Sequence, residues 1–351
     1  MLTFLLPRAS SLLLLLTCTL RSSAFAPPCP SLTHWRIFPC PAPKRCCPAT
    51  PLHSSNAGFR QPDDRGPEID WEAYIELMRP QNILPSAGLV AIGAWVSSHD
   101  VTQLLSVKVL LTALAAVLVA TGSCILNDWF DVAVDAENKP NRPLVTGRVK
   151  LGHALALSCV LLLGALASAW VVNPLALQMV IASSVCLVTM YTPVLKPFPL
   201  LKNFVAAGVI AVAITAGGLA AGAEFSSSFI PAAVVFFCTV HREIVMDVGD
   251  VEGDRTSGVI TLPVLLGRGP AIAVAAGLLA FGLSFAARDV ASSIPALALL
   301  GSAGAPMFVN LYRIKRSDYD EEDVERAVDF AFVPLILILG LIGLAGGGAS
   351  I

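Results

Sequence analysis

From about residue 70 onward, apolar positions run together in long blocks, and polar positions are confined to the short gaps between them. Blocks of about 17–23 residues match the ~20-residue helix needed to cross a ~30 Å hydrocarbon core, because each helical residue advances 1.5 Å. The runs at 82–98, 104–126, 152–172, 174–191, 203–222, 228–246, 270–287, 291–312 and 328–346 predict nine membrane-spanning helices. Only Val172-Asn173-Pro174 separates the third run from the fourth, which predicts a tight antiparallel pair. The expected fold is all-α and polytopic.

Residues 1–66 follow another pattern. Arg8 precedes the apolar run 12–16, and small residues follow Arg21, so 1–24 reads as a signal peptide. The stretch 25–62 contains no Asp or Glu but carries Arg36, Lys44, Arg45 and Arg60 among many Ser, Thr and Pro, which makes 25–66 a transit-peptide-like leader. A signal peptide followed by Ala24-Phe25-Ala26-Pro27 and an acid-free stretch resembles the bipartite plastid presequence of algae with secondary, red-lineage plastids. The alternative is a secreted or endomembrane protein with an amino-terminal arm. The membrane domain is then 67–351.

Composition agrees with the pattern. Hydrophobic residues make up 55% and charged residues 14%, and the mean hydropathy is +0.73, as in a membrane protein. A net charge of -2 argues against a nucleic-acid partner. Beyond the leader, Cys124, Cys159, Cys186 and Cys238 stand singly in apolar runs, with no zinc or disulfide spacing.

Loop charge sets the orientation. Arg79, Lys139, Arg142, Arg148, Lys150, Lys196, Lys202, Arg255, Arg268, Arg313, Lys315, Arg316 and Arg326 all fall on one side of the expected bundle. The other side shows mainly Lys108 and Arg288. The positive-inside rule places the basic side in the cytoplasm, or in the stroma if the membrane is a plastid one.

Two acidic stretches break the apolar pattern on that side. Asp128, Asp131 and Asp135 share the spacing D-x-x-D-x-x-x-D with Asp247, Asp250 and Asp254, and at 3.6 residues per turn each set forms one face of a helix. Each lies at the end of an apolar run and is followed by basic residues: Lys139, Arg142 and Arg148 after the first, Arg255 and Arg268 after the second. Two pseudo-repeats of about four helices, with the motifs facing across a central cavity, account for this. Like charges on one face repel, and ionisable groups near a bilayer are functional by default. Oxygen-only ligands suit Mg2+, which binds one or two carboxylates together with phosphate oxygens. Flanking Lys and Arg would hold the remaining phosphate charge. Acidic stripes, a basic rim and apolar walls fit an isoprenyl diphosphate.

The stretches NDWFDVAVDAENKPNRPLVTGR and REIVMDVGDVEGDRTSGVITLPVLLG closely resemble the two signatures of the UbiA superfamily of intramembrane prenyltransferases. Arg79-Pro80-Gln81-Asn82, Tyr191 to Lys196 and Pro199 to Asn203 agree with it. The resemblance implies Mg2+-dependent transfer of a geranylgeranyl, phytyl or longer group to an aromatic or lipid-soluble acceptor. It implies metal binding by Asp128, Asp131, Asp135, Asp247, Asp250 and Asp254, and diphosphate binding by Asn82, Asn127, Lys139, Arg142, Lys196 and Arg255. Tyr191 and Lys196 join Asp128, Asp131, Asp135, Asp250 and Asp254 as catalytic positions. The leader points to a chlorophyll, tocopherol or quinone pathway in a plastid membrane, with the active site on the stromal side. The alternatives are prenylation of geranylgeranylglyceryl phosphate or of a 4-hydroxybenzoate-type acceptor. From a different class, a divalent-cation transporter could also repeat intramembrane acids, but transporters place them near the midplane and have no use for the basic flanks.

Three further features have structural readings. Glu243 could pair with Arg242 or with a basic loop, His241 reads as a satisfied interior histidine with a proton relay facing the acceptor as the alternative, and Gly217-Gly218 is expected to let two helices approach closely.

Overall fold

The computed structural model describes residues 69–347 apart from Asn173, Pro197 and Ser257, and among these described residues it has fourteen α-helices. The signal peptide and leader expected over 1–66 lie outside the described residues. No strand occurs among the described residues.

The first helix, α1 (Trp71–Met78), was not expected, because its apolar residues are too few to stand out in a hydrophobic run. Asp70 starts it by accepting a hydrogen bond from the Ala73 N–H at 2.9 Å. Ala73 and Leu77 face inward while Ile69, Trp71 and Ile75 are exposed, the amphipathic division of a helix lying in the membrane interface. Arg148 ties α1 down from the loop after the first acidic motif, reaching Asp70 at 2.8 Å and Glu76 at 2.9 Å.

The bundle follows as α2 (Ile83–Ser98), α3 (Val107–Phe130), α4 (Val132–Asn138), α5 (Leu151–Val172), α6 (Leu175–Met190), α7 (Leu201–Ala220), α8 (Phe229–Gly249), α9 (Val251–Thr256), α10 (Leu262–Leu266), α11 (Arg268–Asp289), α12 (Ile294–Arg316), α13 (Glu321–Phe330) and α14 (Phe332–Gly347). Among the described residues, eight segments are long and apolar enough to cross a membrane, with α13 and α14 counted together over Glu321–Ala345. The expected ninth is α2. It has 16 residues, about 24 Å at 1.5 Å per residue, and falls short of a ~30 Å core.

Even so, α2 is packed into the bundle. A Cβ added to Gly217 of α7 would lie 2.0 Å from the Val90 carbonyl oxygen, and one added to Gly93 of α2 would lie 2.2 Å from that of Ile214. Two helices in mutual backbone contact explain both glycines, as expected for Gly217. On the other side of α3, the buried Ser158 hydroxyl of α5 donates to the Gly122 carbonyl at 2.8 Å.

Candidate active site

The two acidic motifs are not continuous helical faces. Helix α3 stops at Phe130, Asp131 adopts a junction conformation (φ -88, ψ 2), and α4 then carries Asp135. The second motif repeats this: Asp247 lies in the last turn of α8, Asp250 is the junction (φ -83, ψ 4), and α9 carries Asp254. In both, the middle aspartate sits where one helix ends and a short one begins. Negative charge at a helix carboxyl end is unfavourable, so cations must come from elsewhere in the chain.

They come from several elements. Asp128, 5% exposed, accepts 2.6 Å bonds from Arg79 and from Arg142. The same Arg142 Nη1 reaches Asp135 at 2.6 Å. Lys196 meets Asp131 at 2.5 Å. Asn127 donates to Asp131 at 2.9 Å and accepts from the Thr192 hydroxyl at 2.9 Å. In the second motif, buried Asp247 holds Lys202 at 2.8 Å and the Asn203 amide at 3.0 Å.

Lys196 and Thr192 are aimed by an irregular turn. After α6, residues Tyr191–Leu195 wind as one π-turn, closed by the Lys196 N–H donating to the Tyr191 carbonyl at 2.7 Å. Pro193 has no N–H for an ordinary helical bond, and such widened turns recur at functional sites. Tyr191 lies within electrostatic reach of Asp131 from the first motif and of Asp247 and Glu243 beside the second. Lys139, from the loop after the first motif, acts in turn on Asp250 of the second. The two motifs therefore share one mouth of the bundle.

Other expected site residues stand apart. Asn82 donates to the Cys124 sulfur at 3.6 Å and, among the described residues, makes no hydrogen bond to a carboxylate. Lys139 and Arg255 are exposed and form no ion pair among the described residues. Arg79, Lys202, Asn203 and Thr192 take part in the site without having been expected to. Their signal was present in the basic loops and in the Arg79 to Asn82 and Pro199 to Asn203 elements, but their partners are distant in sequence. His241 is buried with Nδ1 3.3 Å from the Ala275 carbonyl, which favours the interior reading, and of the two partners open to Glu243 the structure pairs it with Arg242 at 3.1 Å.

Electrostatics differ between the motifs. Partial burial raises the Asp254 carboxyl above the usual aspartate range; the nearby Thr261 side chain and Lys202 oppose this, while Asp247 and Asp250 push the same way as burial. Asp250, open to solvent on one side, is raised by desolvation and by Asp247, with Lys139 and Lys202 opposing.

Among the described residues, no three His, Cys, Asp or Glu side chains converge closely enough to hold a metal ion by themselves. The donors nonetheless fit Mg2+. All are carboxylate oxygens, Asp250 has no ion pair among the described residues, and Asp254 Oδ2 is buried without a hydrogen-bond partner. An ion that takes one or two carboxylates and completes its shell with phosphate and water needs no larger protein cage.

Beneath the mouth lies an apolar cavity of ≈ 90 Å³ between α2, α3, α6 and α7, lined among others by Ser86, Ala116, Ile181 and Ala213. Its α3 residues run from Thr112 to Ala120, about 12–24 Å along the helix from Asp128 at 1.5 Å per residue.

Comparison with known proteins gives this arrangement a family. The model of the UbiA prenyltransferase family matches residues 86–345. The digeranylgeranylglyceryl phosphate synthase of Sulfurisphaera tokodaii is 36% identical over 198 residues, 56% of this chain and 70% of that protein. The synthase of Thermococcus kodakarensis is 31% identical over 261 residues, 74% of this chain and 92% of its own length. A solved digeranylgeranylglyceryl phosphate synthase superposes with TM-score 0.63 at 23% identity, covering 79% of this chain and 99% of that one. A UbiA homolog from Archaeoglobus fulgidus bound to GPP and Mg2+ gives 0.60 at 20%, covering 77% and 99%. With its helical bundle, paired acidic motifs and family match over most of the membrane domain, the chain belongs to the UbiA prenyltransferase family and is an intramembrane prenyltransferase.

Proposed function

We propose that this enzyme transfers a geranylgeranyl-class group from its diphosphate to a glyceryl-phosphate lipid acceptor of the geranylgeranylglyceryl phosphate type. The likeness to digeranylgeranylglyceryl phosphate synthases, extending over 92% of the Thermococcus protein, carries this reading. The site's charge agrees with it. Arg79, Arg142, Lys196 and Lys202 already answer aspartates, whereas Lys139 and Arg255 form no ion pair among the described residues, so they remain for phosphate on donor and acceptor.

Asp250 and Asp254, with Asp131 opposite, would hold Mg2+; Asp128, Asp135 and Asp247, each paired to Arg or Lys, would set the shape of that site. Mg2+, when bound, supplies positive charge against the negative charge that builds on the departing diphosphate. Lys139 and Arg255 orient the diphosphate and hold it after the carbon–oxygen bond breaks, joined by Lys196 where it leaves Asp131. Tyr191, between the motifs, offers an aromatic face that attracts the allylic cation. The apolar cavity receives the tail and keeps water from the cation. Asn127 positions Asp131 through its own bond to Thr192.

The leader composition favours a second reading, a plastid membrane with a chlorophyll, tocopherol or quinone acceptor. One experiment separates the two. Purified enzyme with Mg2+ is given geranylgeranyl and phytyl diphosphates against geranylgeranylglyceryl phosphate, homogentisate and a chlorophyll precursor, and products are identified by mass. We expect the glyceryl product, lost by on the order of 100-fold or more in Asp131→Asn and Asp250→Asn. A prenylated aromatic without the glyceryl product would overturn the proposal in favour of the plastid pathway.

A further inference from the structure

Away from the acidic mouth, a groove of ≈ 360 Å³ runs between α12 and α13, with Ser302, Pro306, Val309, Asn310, Arg313 and Phe330 among its walls. It is graded along its length. Ala305, Pro306 and Val309 form an apolar trough, and Asn310, Arg313 and Arg326 crown its end. From Ser302 to Arg313 the trough spans about 16 Å of helix, half the thickness of a hydrocarbon core. Arg313 lies in the last turn of α12, on the basic side of the membrane, and forms no ion pair among the described residues. Arg326 is partly satisfied by Glu322 at 2.6 Å and Asp323 at 3.0 Å. Val309 and Phe330 are left exposed.

We propose that this groove binds one anionic phospholipid, its phosphate against Arg313, Asn310 and Arg326 and an acyl chain along Val309 and Pro306. The charge is complementary, and the apolar trough sits at acyl depth beneath a basic crown at headgroup depth, a pairing that selects anionic over zwitterionic lipid on the positive side of a membrane. No acidic residue lines the groove, so it is not a second diphosphate–metal site. Its position gives the lipid a role. The other face of α13 packs on α8, with Val324 beside Gly249, next to Asp250, and the Val328 carbonyl accepting from Arg242 at 3.3 Å. A lipid bridging α12 and α13 steadies the helix that backs the second acidic motif.

The test uses the purified full-length chain in phosphatidylcholine nanodiscs with and without phosphatidylglycerol, reading bound lipid by native mass spectrometry and thermal midpoint by intrinsic fluorescence. Phosphatidylglycerol is expected to be retained and to raise the midpoint. Arg313→Ala should weaken retention about tenfold, the loss of one charge-assisted contact. Val309→Trp should block the trough without changing charge and lower retention similarly. Lys315→Ala, equally basic and at the same helix end but outside the groove, should leave it unchanged. Equal losses in Arg313→Ala and Lys315→Ala would reduce the effect to general surface charge and overturn the site. So would equal retention of phosphatidylcholine, or a second copy of the chain covering the groove in place of lipid.

Discussion

At the scale of single residues, Arg142 is the most exposed to loss, because one guanidinium serves Asp128 and Asp135 together, both of them buried. Removing it leaves two carboxylates short of a partner, with only Arg79 remaining on Asp128. Arg142→Ala is expected to cost roughly 3 kcal/mol, the low end for breaking a buried pair because Arg142 keeps some exposure, measurable by denaturant unfolding in detergent. Arg79 carries a different cost. It holds a left-handed backbone (φ 50) that a side-chain-bearing residue adopts at about 1 kcal/mol or more, offset by its bond to Asp128. Asp254 gives a pH signature. Its folded pKa lies above the ordinary 3.8, so the folded state holds more protons than the unfolded one between those values. Its contribution to stability is then greatest in acid and falls as pH rises through the folded value. Through this group, metal-free protein should therefore melt higher as pH is lowered through the folded Asp254 value, and the gain from Mg2+ should be larger above that value than below it. Thermal melts with and without Mg2+ check this, and Asp254→Asn should flatten both trends.

At the scale of elements, a long apolar run is a one-dimensional property, and so the helices were legible to within about one turn at their ends: 152–172 became Leu151–Val172, while 104–126 became Val107–Phe130. The breaks at Asp131 and Asp250 were not, since D-x-x-D-x-x-x-D is equally compatible with an unbroken helix. Short amphipathic pieces such as α1 and α13 lacked the apolar length that makes a run visible. The site was legible as a set of acids and basic loops, but not as a set of pairs. Arg79 and Asp128 stand 49 positions apart, and Lys202 and Asp247 45, and only the packed bundle decides which cation meets which acid. Close helix contact was legible in Gly217, whose replacement is correspondingly severe. A methyl group there meets the Val90 carbonyl at 2.0 Å, so Gly217→Ala should force α2 and α7 apart and cost at least about 1–3 kcal/mol. Gly88→Ala, with nothing within 4 Å of the added atom, is the control in the same melting assay.

At the scale of the whole molecule, the mouth and the apolar cavity set a ruler between the reacting carbon and the tail end. Ala116 lines that cavity, and Ala116→Phe should shorten the tail the enzyme accepts. Turnover of geranylgeranyl diphosphate should fall by on the order of tenfold or more while geranyl diphosphate is largely spared, a shift of the size one pocket contact can make. Competition between the two donors, read by product mass, would show it, and an equal loss for both would mean the tail lies elsewhere. The pairing of Arg79, Arg142, Lys196 and Lys202 with the aspartates has one more outcome. An idle enzyme already has Asp131 and Lys196 matched to each other, so a lone divalent ion drawing on Asp131 or a lone pyrophosphate group drawing on Lys196 must break a partnership that it can only half replace. The two reagents arriving together replace both halves. Each should therefore tighten the other by an identical factor, and titrating either in the presence of the other would reveal that reciprocity.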